Sequence, residues 1–345
     1  MATKNKYERL LARRAPQDDR SIRNFSESFE SQFGEATKYL IGAMAPVAPR
    51  YTERLVEQGD RVENQLKTRL AKEYPTLTFR RQGSVSNHTH IRYYSDVDVL
   101  VIIDKFVGIE PPLKSTNLYT GNAEQDLLDL RTRCADELGK AFHAAQVDDE
   151  GSTCVTIKGG SLICPVDAVP SNWLNTEAWS QSRREHDRGI QVYNRDKKLR
   201  IKNQPFLFNH RIHACDVARF GVPRCFIRLL KNIKADHENA DVNAEIDFSS
   251  FDICSLVYRM PTDSTRGKRN KPLSLIYALL VWMQTVLNDE VVRISLMSVD
   301  DSRKIFDNSG KAGGLRTLFE DLKVLYGQAL EESQRREIIT EAHLP

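Results

Sequence analysis

The stretch GSVSNHTHIRYYSDVDVLV, residues 83–101, sets two aspartates, Asp96 and Asp98, at the mouth of an apolar run that continues as VLVII to residue 103. Such a run, rich in β-branched residues, predicts a strand. Alternate residues of a strand point to the same face, so Asp96 and Asp98 share a side with Cα atoms roughly 6.5–7 Å apart, while Val97 and Val99 face the other way. Two carboxylates that close, at the edge of a core, repel each other and lose hydration. A positive charge between them resolves both costs.

The rest of the chain frames that strand. With 345 residues, 40% hydrophobic and 28% charged, it has the composition of an ordinary globular protein with ample length for a core. No apolar run is long enough to span a bilayer, and the basic start MATKNKYERLLARR lacks the apolar stretch of a secretion signal, which predicts a cytoplasmic protein with no membrane partner. The six cysteines show no CxxC spacing, as expected of reduced thiols. A net charge of +3 permits anionic ligands without announcing a nucleic-acid binder. Phe25, Phe29 and Phe33 are spaced to share one helical face, Pro46 and Pro49 interrupt that pattern, and a second helix is predicted up to Pro75. Strand signals follow in LTFRRQGS, DVDVLVIID, STCVTIK and SLICPVDAVP, with a helical segment AEQDLLDLRTRCADELGKAFHAA between them; from residue 205 onward the pattern is mostly helical. The expectation is an α+β protein of two lobes: a mixed-sheet lobe over residues 1–175, braced by the N-terminal helices, and a helical lobe over 176–345.

A third carboxylate, Asp167, lies in the short apolar run LICPVDAVP. If that strand pairs beside the first, three acids converge. One aspartate at a strand end is usually a solvated turn residue; three on one patch suit a hard divalent cation, and Mg²⁺ completes its shell with water and substrate phosphate. Two such ions, Mg²⁺ or Mn²⁺, can activate a hydroxyl and neutralise the leaving group of a phosphoryl displacement. Gly83 and Ser84 supply the complementary half, because a Gly-Ser turn lets backbone N–H groups and a hydroxyl approach phosphate oxygens closely.

The order of a GS turn, an acidic-x-acidic strand and a third acid on a neighbouring strand resembles the polymerase-β-type nucleotidyltransferase superfamily. Downstream, Lys231 sits in CFIRLLKNIK, where Phe226, Leu229, Leu230 and Ile233 form an apolar stripe and Lys231 and Arg228 fall off it. From periodicity alone Lys231 is a solvated helix-face lysine. FSSF follows at residues 248–251. The series GS, DVD, VD, LLK, SSF, from about residue 80 to 260, is similar to the cGAS/DncV-like CD-NTases of bacterial anti-phage CBASS systems. That resemblance implies a bilobal polymerase-β-like fold with its active site in the cleft, and Asp96, Asp98 and Asp167 as catalytic and metal-binding residues. It also implies Gly83, Ser84, Lys231 and Ser250 on the donor triphosphate and Phe251 stacked on its base. Phe251 departs from the tyrosine common at its position, which keeps the ring and loses a hydroxyl.

The function so implied is a cyclic oligonucleotide synthase that joins NTPs by two-metal phosphoryl transfer and releases pyrophosphate. Its product is a second messenger read by a CBASS effector, and a regulatory protein partner is a further expectation. The alternative is a template-independent terminal nucleotidyltransferase acting on RNA or protein, which would more often bring an RNA-binding domain or a more basic surface. The chain lacks a basic arm with interleaved aromatics, which argues against activation by DNA. Which bases are used, the linkage and the ring size are not legible in the residues.

Overall fold

The computed structural model describes residues 6, 8–10, 33–114, 119–240, 244–268 and 271–342; Phe25 and Phe29 lie outside the described residues. The chain forms two compact units, one of residues 49–213 and one of residues 214–345 together with 1–48. Elements are numbered along the chain, so α1 (Glu35–Met44) is described with the second unit.

The first unit opens with α2 (Pro49–Leu70), which buries Tyr51, Leu55, Val62, Leu66 and Leu70, the single stripe of an amphipathic helix. Then follow β1 (Thr78–Gln82), the one-turn α3 (Gly83–Ser86), β2 (Val97–Ile109), α4 (Ala123–Ala141), β3 (Gln146–Asp148), β4 (Val155–Lys158), β5 (Val166–Asn175), α5 (Glu177–Ser182), β6 (Gly189–Asn194) and β7 (Leu199–Asn203). β2 and β5 run side by side and parallel, and β1 lies antiparallel along β2. The other edge of β5 is shared. β4 pairs its first residues and β6 its last, with β3 beyond β4 and β7 beyond β6. From Val99 and Ala168 onward both central strands are buried through their apolar runs, which is why they read as continuous hydrophobic stretches rather than alternating ones. Leu100, Ile102, Val169, Trp173 and Phe206 fill one face. α2 packs on the other, where a Cβ on Gly59 would stand 2.8 Å from Val97. The edge strand β1 carries its charges outward: Arg80 pairs with Glu185 at 2.7 Å and Arg81 with Asp60 at 2.8 Å, which blunts the exposed edge.

Helix α6 (Pro205–Ala218) carries the chain out of this unit. The second unit contains α1, α7 (Val222–Ala240), α8 (Ser250–Tyr258), α9 (Pro272–Asn288), α10 (Glu290–Ser295) and α11 (Gly310–Ala342). α7 packs against α1, α8 and α11 and is buried nearly all round. Its polar side chains serve the C-terminal end of α1. Arg228 donates to the Met44 carbonyl at 2.9 Å and Asn232 to that of Ala43 at 3.1 Å, meeting carbonyls that a helix C-terminus leaves unpaired. At the other end Gly34 offers no capping side chain, and the Glu332 carboxylate of α11 accepts from the Ala36 and Thr37 amides at 2.9 and 3.1 Å.

Two expectations differ from this arrangement. The sheet does not end at residue 175, because β6 and β7 extend it, with Trp173 opposite Ile190. The described N-terminal helix α1 belongs with the helical unit rather than bracing the sheet, since the partners of its buried face are α7 and α11; Tyr39 donates to Asp236 at 2.8 Å. Phe33 precedes α1 in a bend and is 36% exposed.

Candidate active site

The register of the two central strands places Asp98 directly opposite Asp167. Adjacent strands lie about 4.8 Å apart and register partners point to the same side. Both acids therefore edge the face that Leu100 and Val169 continue as core. Asp96 falls one residue before β2 and is exposed, while Asp98 and Asp167 are half-buried. Thr156 on β4, opposite Asp167 on its other flank, donates its hydroxyl to Asp167 Oδ1 at 2.6 Å. The Asp167 carboxyl is held above the usual carboxylate range by burial first, then by the negative charge of Asp96, against the opposing Thr156 hydrogen bond. The structure thus brings all three acids within electrostatic reach of one another. Among the described residues no three acid, imidazole or thiol groups form a ready-made metal cage.

The Gly-Ser turn is built against the same acids. Gly83 has φ +80°, and a Cβ there would stand 1.9 Å from Asp98 Oδ2, so glycine is required both by the backbone conformation and by the approach of the carboxylate. Gln82 donates to Asp98 Oδ1 at 3.4 Å. Ser84 is half-buried, and its carbonyl accepts from the Thr89 amide at 2.9 Å. Asn87 ties the turn down by donating to the Gly83 carbonyl at 3.1 Å and to Asn209 of α6 at 2.7 Å.

In the helical unit Lys231, Ser250 and Phe251 lie on two helices that pack together. Lys231 is only 7% exposed, so it is not the solvated lysine that periodicity suggests: α7 is enclosed by its neighbours, and off-stripe positions are buried too. Burial pushes the Cys254 thiol of α8 up to about 11, partly offset by the nearby Lys231 charge, which places the ammonium beside that helix. Ser249, not Ser250, is the N-cap of α8. Its hydroxyl accepts from the Asp252 amide at 3.2 Å, and Asp252 Oδ2 accepts from the Ser249 amide at 2.9 Å, closing a capping box. That leaves Ser250 exposed at the first helical position and Phe251 half-buried beside it.

Residues 224–327 match the family described as the cGAS/DncV-like nucleotidyltransferase C-terminal helical domain. The chain is also 35% identical over 315 residues to the cyclic dinucleotide synthase CdnE of Yersinia aleksiciae, covering 90% of this chain and 82% of that protein. It belongs to the cGAS/DncV-like nucleotidyltransferases. A c-di-GMP synthase of Capnocytophaga granulosa is 29% identical over 346 residues, covering 93% of this chain and 95% of that one. The solved structure of the STING-associated CdnE c-di-GMP synthase from that organism superposes with a TM-score of 0.77 at 27% identity, over 95% of this chain and 99% of the other. The mixed sheet with flanking helices is accordingly the fold of the CD-NTases, and the chain is a nucleotidyltransferase of the cyclic-dinucleotide-synthase group.

Several residues around these side chains carry no signal of their own in the sequence. Thr156 becomes an Asp167 partner only through the β4–β5 register, and Asn209 reaches Asn87 from 122 residues away. Asp252, by contrast, could have been found from the Ser-x-x-Asp spacing of a capping box. Its two cationic partners could not. Arg303 meets Oδ1 at 2.5 Å and Lys311 meets Oδ2 at 2.8 Å. Burial alone would raise that carboxyl, yet the Lys311, Ser249 and Arg303 hydrogen bonds hold it below the usual range. All six cysteines are free, and burial raises every thiol, Cys134 to about 12 and Cys154 and Cys164 to about 11, so none of them is poised as a nucleophile.

Proposed function

We propose that this CD-NTase joins two NTPs into a cyclic dinucleotide at Asp96, Asp98 and Asp167, using Gly83, Ser84, Lys231, Ser250 and Phe251 to hold the donor. The observation that carries the reading is the Asp98–Asp167 register beside a Gly83 that has no room for a side chain. The donor set fits Mg²⁺ or Mn²⁺. It consists of hard carboxylate oxygens, one of them already strained toward its protonated form by burial and by Asp96, and a cation would relieve that strain. Mg²⁺ and Mn²⁺ commonly take substrate phosphate and water as their remaining ligands. When bound, a metal pair would lower the charge cost of the displacement and make the acceptor hydroxyl easier to deprotonate.

The chain's own groups do the rest. The α3 turn offers backbone N–H groups and the Ser84 hydroxyl to the triphosphate, and Lys231 meets it as a point charge. Phe251 stacks on the donor base. Asp167, oriented by Thr156, accepts the acceptor's ribose proton. Ring closure repeats the transfer after the linear intermediate has turned round. The named activity of the Capnocytophaga relative makes GTP the first substrate to try. We place the enzyme in the cytoplasm; no helix of the described residues is long and apolar enough to cross a membrane. Its product would be read by a separate effector protein in anti-phage defence; the solved relative is described as STING-associated.

Incubation with four labelled NTPs and Mg²⁺ or Mn²⁺, followed by phosphatase, tests this directly. A phosphatase-resistant small product supports the cyclase. Label carried into long RNA or into protein would replace it with a terminal transferase.

A further inference from the structure

The first turn of α8 is held by more than a helix cap. Asp252 is fully buried, and its two oxygens are divided between Arg303 at 2.5 Å and Lys311 at 2.8 Å. Arg303 is fixed on further sides: its Nη1 donates to Asp307 Oδ2 at 3.0 Å and to the Lys304 carbonyl at 3.0 Å. So anchored, the guanidinium carbon stands 5.0 Å from the centroid of the Phe251 ring, over its face. Phe251 is half-buried, so part of its surface still reaches solvent.

We propose that Arg303 is a positioning residue for nucleobase recognition: it backs the Phe251 ring with a fixed planar cation and so presents the ring, already oriented, to the base of the donor nucleotide. This inference rests on the reading of Phe251 as the base-stacking residue. An aromatic ring free to rotate must be ordered when a base stacks on it, whereas a ring clamped by a cation over one face has lost that freedom in advance. Neutralising Asp252 does not by itself explain the arrangement, because Lys311 already meets that carboxylate, whereas only a flat, multiply anchored group can cover a ring. Of the three contacts that hold the guanidinium, the one to Asp252 also ties the segment after α10 to the start of α8. Base recognition by residue 251 therefore depends on a residue 52 positions later in the chain.

The test separates base recognition from triphosphate binding. Affinities of the full chain for a non-hydrolysable GTP analogue and for inorganic tripolyphosphate are measured by calorimetry, and their ratio reads the contribution of the nucleoside. Arg303→Lys keeps a charge for Asp252 and loses the plane; it should lower the ratio by about two- to tenfold, the range set by ordering one side chain on binding, with tripolyphosphate affinity unchanged. Arg303→Met should lower it at least as far, and Phe251→Ala further still. If both Arg303 variants keep the wild-type ratio, or weaken the two ligands equally, while Phe251→Ala lowers the ratio, Arg303 has no such role and the reading of Phe251 stands. If Phe251→Ala itself leaves the ratio unchanged, the donor-base assignment fails and this inference fails with it.

Discussion

Two aspartates, Asp167 at the start of β5 and Asp252 in the first turn of α8, are both withdrawn from water, yet their carboxyls are pushed in opposite directions. Asp252 has a cation on each oxygen and a capping hydroxyl, so its ionised form is secured despite burial. Asp167 has only neutral hydrogen-bond donors, the Thr156 hydroxyl and the Cys154 thiol, and other acids near it. Removing charge from water is costly in either place, and the protein covers the cost only at Asp252. A buried acid whose charge is already balanced is part of the scaffold. One whose balance is missing is the kind of group that a bound cation would complete.

The largest expected effect lies on the unbalanced side. Asp98→Asn should abolish measurable product, on the order of a thousandfold or more, because losing one metal-ligating carboxylate removes several kcal/mol of charge stabilisation. The apo protein should stay folded, since one of the repelling charges is gone. Product formation at saturating NTP, read beside a melting curve, checks both halves. Near-wild-type turnover would place Asp98 with the scaffold acids and break the contrast.

Asp252→Asn should do the reverse. Removing the carboxylate leaves Arg303 and Lys311 without their shared counter-charge, and breaking a buried pair in this way costs about 3–5 kcal/mol. The cost should depend on pH. A carboxyl whose pKa is lowered on folding contributes stability that is complete above its unfolded pKa, about 4, and is lost as pH falls through the folded value. Urea denaturation should show wild type and Asp252→Asn converging as the pH is lowered from 6 toward 3. A constant gap across that range would mean that Asp252 acts by shape rather than by charge.

The same contrast marks what could be read from residues alone. The acid strand, the third acid and the Gly-Ser turn were legible because strand alternation and glycine conformation are local rules, and the apolar runs around Asp98 and Asp167 show that both strands are central. The balancing of Asp252 was not, because Arg303 and Lys311 reach it from 51 and 59 residues away. Lys231 shows the limit of helical periodicity: an apolar stripe names one buried face, and only the packing of α1, α8 and α11 around α7 shows that the remaining faces are buried as well. The unit boundary after His213 was hidden for a similar reason, since no local signal says that β6 returns to pair with the far end of β5.

The smallest change sharpens the comparison most, because it adjusts the imbalance at Asp167 without removing it. Thr156 gives the stronger of two hydrogen bonds, the other from Cys154, that favour the ionised form of Asp167 against burial and Asp96. Thr156→Val keeps the β-branched shape that β4 prefers and deletes the hydroxyl, for a cost of about 1 kcal/mol or less in stability. The Asp167 pKa should then rise further above its ordinary range. If Asp167 must be ionised to accept the acceptor's proton, the acid limb of the rate profile moves to higher pH, while the rate on the plateau changes little. Thr156→Ser should return the limb to its wild-type position. The apo protein should respond in the opposite sense to the Asp252 case. A carboxyl raised on folding takes up its proton earlier in the native state, so wild type gains stability as pH falls from the raised value toward about 4, and Thr156→Val should begin that gain at a higher pH. An acid limb that stays in place in Thr156→Val would mean that Asp167 does not carry the proton, and that the group setting the limb must be sought among its neighbours on β2.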